Sequence, residues 1–507
     1  MKKVVKMRSK LAFKNIFSTL ILQIIILVYG FVVPKLIIKS FGSDVNGLLS
    51  SISQFLSYIT LLEAGLCPVV RSALYKPISK KDNKQIINIL KAAEKFFRLI
   101  SLIFIIYLIG LSLIYPLIIQ SEFSYLYTFS LIVIIAISTF FEYYFGITYS
   151  LYLYAEQKKY IISYIQIVTY ILNIIAVFAL IKMYANIQII KLISGILFVM
   201  RPIILNIYVK RKFNINLKQA DKNYKLEKRW DGLSQHIAAI IHDSTDVAIL
   251  TIFTKLSEIS VYSVYAMVTR GINSIVLSLT GGIDASFGDM IAKDEKEALN
   301  KNFNLYEFGY LTIITIIYLC TLILIVPFVE VYTLGITDAN YIRYLFGTLL
   351  VISWFVHAIR APYNMIVLAA GHFKETKKGA WLEAITNVLL SVILVSKFGI
   401  IGVAIGTLVA TSIRTIEYIY HTNKYILDRN VIVSVKKIFI IVIELFLVII
   451  IFKFIPFLLV NNSYLNWLIN AVFVFLITSL IVLSFNCVIY RKEFKEILKI
   501  LKKIIKK

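Results

Sequence analysis

The chain has 507 residues, 54 Lys+Arg against 28 Asp+Glu, and a formal net charge of +26. Hydrophobic residues make up 59% and charged residues 16%, against roughly 45–50% and about 25% in ordinary soluble domains. With a mean hydropathy of +0.82, these values exclude a soluble domain, a disordered chain and a nucleic-acid binder, and predict an all-α integral membrane protein.

A membrane helix needs about 20 mostly apolar residues. In chain order, about fourteen such spans are expected: 16–38, 48–74, 97–119, 124–154, 161–181, 188–209, 233–254, 259–291, 306–330, 342–370, 379–397, 400–421, 438–460 and 466–490. The first apolar segment is too long for a cleavable signal peptide and has no small-residue cleavage site. Cys67, Cys320 and Cys487 all fall inside apolar stretches, so no disulfide framework is expected.

The loops alternate in charge. One set is basic: 1–14, KPISKKDNK at 76–84, EQKK at 156–159, the long segment 210–229, KDEKEALNK at 293–301, HFKETKK at 372–378, and the tail from Arg491. The other set is short and poor in cations, as in FGSDVNG at 41–47 and TLGITDAN at 333–340. By the positive-inside rule both termini are expected in the cytoplasm, as an even span count requires. In the tail, Phe494, Ile497, Leu498, Leu501 and Ile504 recur among lysines. That pattern predicts an amphipathic basic helix on the inner leaflet, in contact with membrane lipid.

Two halves of the chain read alike. IIYLIGLSLIYP at 105–116 matches IIYLCTLILIVP at 316–327, with the final proline aligned. Ser43-Asp44 matches Ser257-Glu258, Glu156-Gln-Lys-Lys matches Glu375-Thr-Lys-Lys, and Asn173 matches Asn387. The offset stays between 211 and 219. Six spans per copy is an even number, so the copies share one orientation: a parallel repeat. The expected organisation is an N-terminal lobe at 1–209, a basic linker at 210–230 and a C-terminal lobe at 231–422. Two extra helices within 438–490 and the basic tail at 491–507 follow. Two pseudo-symmetric six-helix lobes suit alternating access about a site at their interface.

Ionisable residues at bilayer depth are costly unless paired or wetted, and are therefore the candidate site residues. In QHIAAIIHDSTDVAIL, His236, Asp243 and Asp246 are seven and three apart and share one helix face. Together with Glu63 they are candidates to hold Na⁺ or a proton; the alternative is that the carboxylates pair with arginines as structural locks. Arg71, Arg201, Arg270 and Arg360 also fall inside spans, as does Glu142. Pro362, two after Arg360, can break the helix and free backbone carbonyls. Arg414 and Glu417 read as a local i, i+3 pair. Glu383 and Glu444 read as interfacial, and Gly402 and Gly406 as a small-xxx-small packing face. No G-x-x-x-x-G-K-[ST] phosphate loop is present, and no cofactor or metal is expected.

The run Gly379-Ala-Trp-Leu-Glu-Ala-Ile-Thr-Asn-Val-Leu-Leu-Ser391, followed by Lys397-Phe-Gly and Gly402-Val-Ala-Ile-Gly-Thr407, resembles Wzx-like polysaccharide flippases. Those belong to the multidrug/oligosaccharidyl-lipid/polysaccharide exporter superfamily. Phe41-Gly42 to Leu48, Tyr58 to Cys67, and Tyr262-Ser-Val-Tyr265 look like the same group. The resemblance covers about 1–490. It implies a MATE-like fold and a bacterial cytoplasmic-membrane flippase, not an enzyme, that moves undecaprenyl-pyrophosphate-linked oligosaccharide. Lipid-linked oligosaccharide is the implied substrate, with polysaccharide polymerase and chain-length machinery as candidate partners. It also implies a cationic cavity lined by Arg71 and Arg270, with Arg360 and Arg201 as further substrate contacts. Guanidinium suits the role because it holds phosphate oxygens bidentately. A lipid II flippase or a cation-coupled drug exporter of the same superfamily is the alternative. A membrane polysaccharide polymerase is less suited, since polymerases usually need a large external loop.

Overall fold

A computed structural model describes residues 2–63, 65–119, 123–213, 215–221, 224, 233–278, 280, 283–455 and 463–505. Every regular element among them is helical. Contacts divide the chain into two compact units: Met1–Ile240 with Lys255–Ser260, and Ile241–Thr254 with Val261–Lys507.

The first unit opens with α1 (Lys2–Phe41), which packs along α8 (Lys159–Lys182). The expected span 48–74 is broken into α2 (Ser43–Ser57), the single turn α3 (Thr60–Glu63) and α4 (Leu66–Lys80). Gly65 occupies the break at φ +87, a left-handed geometry that only glycine adopts cheaply. Next come α5 (Asn83–Ile118), α6 (Tyr125–Phe141), a π-helical turn (Glu142–Gly146), α7 (Ile147–Ala155) and, after α8, α9 (Ile187–Phe213). The start of α11 (Leu256–Ser278) belongs to this unit: Asn46 on α2 donates to Ser260 at 2.8 Å in a buried bond.

The second unit contains the C-terminal part of α10 (Leu233–Phe253), most of α11, α12 (Asp284–Ala292) and α13 (Lys296–Tyr332). Then follow α14 (Tyr344–Ile359), α15 (Ala361–Ala369), α16 (Lys377–Phe398) and α17 (Ile400–His421), which runs into a second π-helical turn, Thr422–Ile426. Helices α18 (Ile432–Lys453), α19 (Tyr464–Ile489) and α20 (Arg491–Ile505) complete it. The break between α14 and α15 falls at Arg360, with Pro362 in the first turn of α15, where its missing N–H costs nothing. Long helices α5 and α13, of 36 and 37 residues, carry the matched prolines Pro116 and Pro327 towards their ends.

Burial separates the core from the lipid-facing surface. In α8 only 17% of the most apolar window is buried, whereas in α13 67% is, so α13 is the hub of its unit. Against it pack α18 and α19 through Ile316, Leu319, Leu324, Val448, Phe452, Val474 and Val482. Helices α18 and α19 are thus fastened to α13 by apolar packing. Close approach of α16 and α17 depends on the expected glycines: a Cβ on Gly402 would lie 2.4 Å from the Leu394 carbonyl oxygen. One on Gly406 would lie 2.4 Å from Ser391 Oγ.

Eleven of the described helical segments are long and apolar enough to cross a bilayer, and the chain is a multi-pass membrane protein. The expected spans at 233–254, 259–291 and 438–460 coincide with helices but fall outside that measure. For α18 the reason is charge, since Lys436, Lys437, Glu444 and Lys453 all lie on it.

Candidate functional site

In the first unit the charged residues form a string. Glu63 ends α3 at the helix break, and the Cys67 thiol donates to its carboxylate at 3.9 Å. Tyr143, in the π-helical turn, stands beside Glu63 and also lines a cavity of about 280 Å³. Glu142 and Arg201 line the same cavity. Arg201 Nε donates to Thr169 Oγ1 at 2.6 Å, and its guanidinium lies 4.1 Å from the Tyr170 ring centre and 4.2 Å from that of Phe198. Arg71, one turn beyond Cys67 on α4, is half-buried over the ring of Tyr154, 5.6 Å from its centre, with no carboxylate in ion-pair range among the described residues.

In the second unit Asp246 is the centre. Its carboxylate is 8% exposed and accepts from Tyr262 (2.8 Å), Thr407 (3.2 Å) and Asn387 (3.5 Å). Thr407 also donates to the Val403 carbonyl at 3.0 Å, and Ser391 to Asn387 Oδ1 at 3.3 Å. Helices α10, α16 and α17 therefore bring together one carboxylate and several neutral oxygens. Beside them is a cavity of about 30 Å³, reached also by Arg270, Ser353 and His357. That space suits one or two waters or a bare small cation. Arg270 itself is exposed and has no ion-pair partner among the described residues.

Arg360 stands differently. Its Nη1 donates to Glu383 at 2.6 Å, and Arg414 faces the other Glu383 oxygen at 3.8 Å. Arg414 also contacts Glu417, as the i, i+3 spacing predicted, and donates to the Thr376 carbonyl at 2.7 Å. Glu383 is buried between two guanidiniums, because the α14–α15 break turns Arg360 onto α16. Glu444 is also buried and accepts from Asn486 at 2.8 Å. For His236 and Asp243 the backbone is helical as expected, but their side chains lie outside the described set. Among the described residues no three His, Cys, Asp or Glu gather as a metal site.

One cluster escaped the sequence reading. Glu307 on α13 is fully buried, with Lys437 Nζ at 2.7 Å, Arg429 Nη2 at 2.8 Å, Ser434 Oγ at 2.6 Å and Tyr363 OH at 2.5 Å. Glu307 lies just inside an expected span, and that was the available signal; its partners lie 122 and 130 residues away.

No family model and no curated protein matches the sequence. Solved structures do match. The lipid II flippase MurJ, in an inward closed conformation, superposes with a TM-score of 0.64 at 17% identity, over 94% of this chain and 98% of MurJ. The chain has the MurJ fold. An inward-facing multidrug resistance MATE family transporter of the MOP superfamily gives 0.61 at 13% identity, over 77% of this chain and 92% of its own. The Vibrio cholerae MATE transporter VcmN, in its bent form, gives 0.51 at 14% identity, over 85% and 98%. All three are transporters, and what this chain shares with them is the fold.

Proposed function

We propose that the chain is a flippase that carries undecaprenyl-pyrophosphate-linked oligosaccharide repeat units across the bacterial cytoplasmic membrane. It would do so by alternating access of two lobes, 1–209 and 231–422. One observation carries the reading: Arg71 and Arg270 lie on helices of a membrane-transporter fold with no carboxylate partner among the described residues. Arg360 and Arg414, in contrast, are held in ion pairs. An unpaired guanidinium within a membrane fold is costly and is retained where it meets an anion. A pyrophosphate needs several such donors. Arg360 and Arg201 are secondary contacts: Arg360 is available to substrate if Glu383 releases it, and Arg201 through its unpartnered Nη2. Asp246, with Asp243, His236 and Glu63, is the proposed ion-coupling set.

Lipid II is the second reading, favoured by the MurJ fold. The test is outer-leaflet exposure in proteoliposomes loaded with either labelled lipid-linked oligosaccharide or lipid II. Faster exposure of the oligosaccharide supports the first reading, and faster exposure of lipid II the second. Exposure of neither removes both. Cysteine labelling checks orientation: positions near 218, 298 and 376 should label from the cytoplasm, and positions near 44, 258 and 336 from outside.

A further inference from the structure

The cavity of the first unit holds two opposite charges that do not meet. Glu142 and Arg201 both line it, yet neither makes an ion pair among the described residues. Buried opposite charges normally close on each other, since each left alone costs several kcal/mol. Here both are held apart.

Arg201 is fixed by three contacts. Thr169 takes its Nε, and the rings of Tyr170 and Phe198 lie against the guanidinium. Its Nη2 is buried and has no hydrogen-bond partner. Thus part of the planar fork is held in place with donor capacity unspent. Glu142 lines the same cavity. It opens the π-helical turn, a backbone irregularity that often marks functional sites. Its Oε1 folds over Gly146: a Cβ there would come within 2.9 Å of that oxygen and 2.9 Å of Pro202. Glycine at 146 is therefore the notch that seats the carboxylate.

The cavity that both charges line is about 280 Å³, and the polar Ser138 and Gln166 line it too. That is several times the share of one water, about 30 Å³. A simple cation would satisfy Glu142 and leave Arg201 unanswered; a simple anion would do the reverse. We propose that this cavity binds a small zwitterion, with its carboxylate or phosphate on Arg201 and its ammonium on Glu142. Free amino acids and an ethanolamine phospholipid head group share that chemistry. The proposal does not depend on the flippase reading, because site and test need no transport.

The experiment uses purified full-length protein, with binding read by calorimetry and by thermal shift. The probes are glycine, β-alanine and O-phosphoethanolamine, with acetate, inorganic phosphate and methylammonium as half-ligands. Nanodiscs with and without phosphatidylethanolamine form a second arm. At least one zwitterion should bind tenfold or more tighter than either of its halves. Binding of free glycine or β-alanine assigns the site to a soluble solute. Stabilisation only by O-phosphoethanolamine or by phosphatidylethanolamine discs assigns it to a head group. Arg201→Gln should weaken the zwitterion roughly ten- to a hundredfold. Glu142→Gln should weaken it too and erase its advantage over acetate. Gly146→Ala, whose Cβ would press on both the Glu142 carboxylate and Pro202, should weaken the zwitterion as well. Half-ligands that match the zwitterions on the wild-type protein, or no binding in either arm, overturn the proposal even if a variant fails to fold.

Discussion

Arg360 Nη1 lies 2.6 Å from Glu383 Oε1, an ion pair joining the α14–α15 break to α16. Glu383 is shared, because Arg414 approaches its other oxygen at 3.8 Å. Removing the shared acid strands Arg360 and leaves Arg414 to Glu417 and the Thr376 carbonyl, whereas removing Arg360 leaves Glu383 with Arg414. Breaking a buried pair costs about 3–5 kcal/mol. Glu383→Ala should therefore lower the melting temperature in detergent clearly more than Arg360→Ala. If Arg360→Ala melts like wild type but no longer transports, Arg360 reaches substrate during the cycle.

Glu307 makes a second, more deeply buried knot. It ties α13 to α18 through Lys437 and Ser434, and to the segment after the second π-helical turn through Arg429. Glu307→Ala leaves two cations facing a void and should cost at least about 3 kcal/mol. Glu307→Gln keeps an acceptor and should cost less. Adding Lys437→Met to Glu307→Gln should recover part of the loss, because the uncompensated ammonium is gone. Thermal unfolding of the four proteins checks the order; a double variant weaker than Glu307→Gln contradicts it.

The helices were legible because each needs only a local apolar run, and the α16–α17 contact because Gly402 and Gly406 sit one turn apart. Pro362 signalled the break at Arg360. The π-helical turn at Glu142–Gly146 left no local sign. Pairing was illegible for a different reason. Sequence identifies which charges must be buried, but partners are chosen by packing between distant helices. Arg360 finds Glu383 across 23 residues, Lys437 finds Glu307 across 130, and Thr407 finds Asp246 across 161. For Glu383, position along the helix indicates depth and not neighbours.

Arg71 and Arg270 carry the head-group proposal. Loss of one bidentate contact to a charged group should cost about 1.5–3 kcal/mol, or roughly ten- to a hundredfold in affinity. Lysine keeps the charge and loses the fork, so Arg71→Lys and Arg270→Lys should transport partially and the alanine variants hardly at all. Expression should survive, because Arg71 is half-buried and Arg270 exposed. The readout is outer-leaflet exposure of a labelled lipid-linked sugar. Wild-type rates in both alanine variants would move the head group to Arg201 and Arg360 or end the cationic-cavity mechanism.

Asp246 tests coupling. Tyr262, Asn387 and Thr407 are neutral donors to its carboxylate. The Thr407 hydroxyl lies within 3.2 Å of both the Asp246 carboxylate and Asn387 Oδ1, and contacts the Val403 carbonyl, so oxygens from α10, α16 and α17 gather about it. Hard cations favour oxygen sets of this kind. A cation seated there would link α10 to α16 and α17 and stabilise the fold in proportion to its binding, by about 2.7 kcal/mol at a hundredfold excess over Kd. Wild-type protein should therefore melt at a higher temperature in Na⁺ than in choline at equal ionic strength. Asp246→Asn should abolish that difference and the gradient dependence of transport, while its melting temperature in choline stays near wild type. Thr407→Val removes one oxygen and should weaken the Na⁺ response without removing it. A structural lock behaves otherwise: Asp246→Asn would then lower the melting temperature equally in both salts, and gradient dependence would remain in whatever activity survives. An Asp246→Asn protein that melts and transports like wild type, with its Na⁺ response intact, rules out both roles.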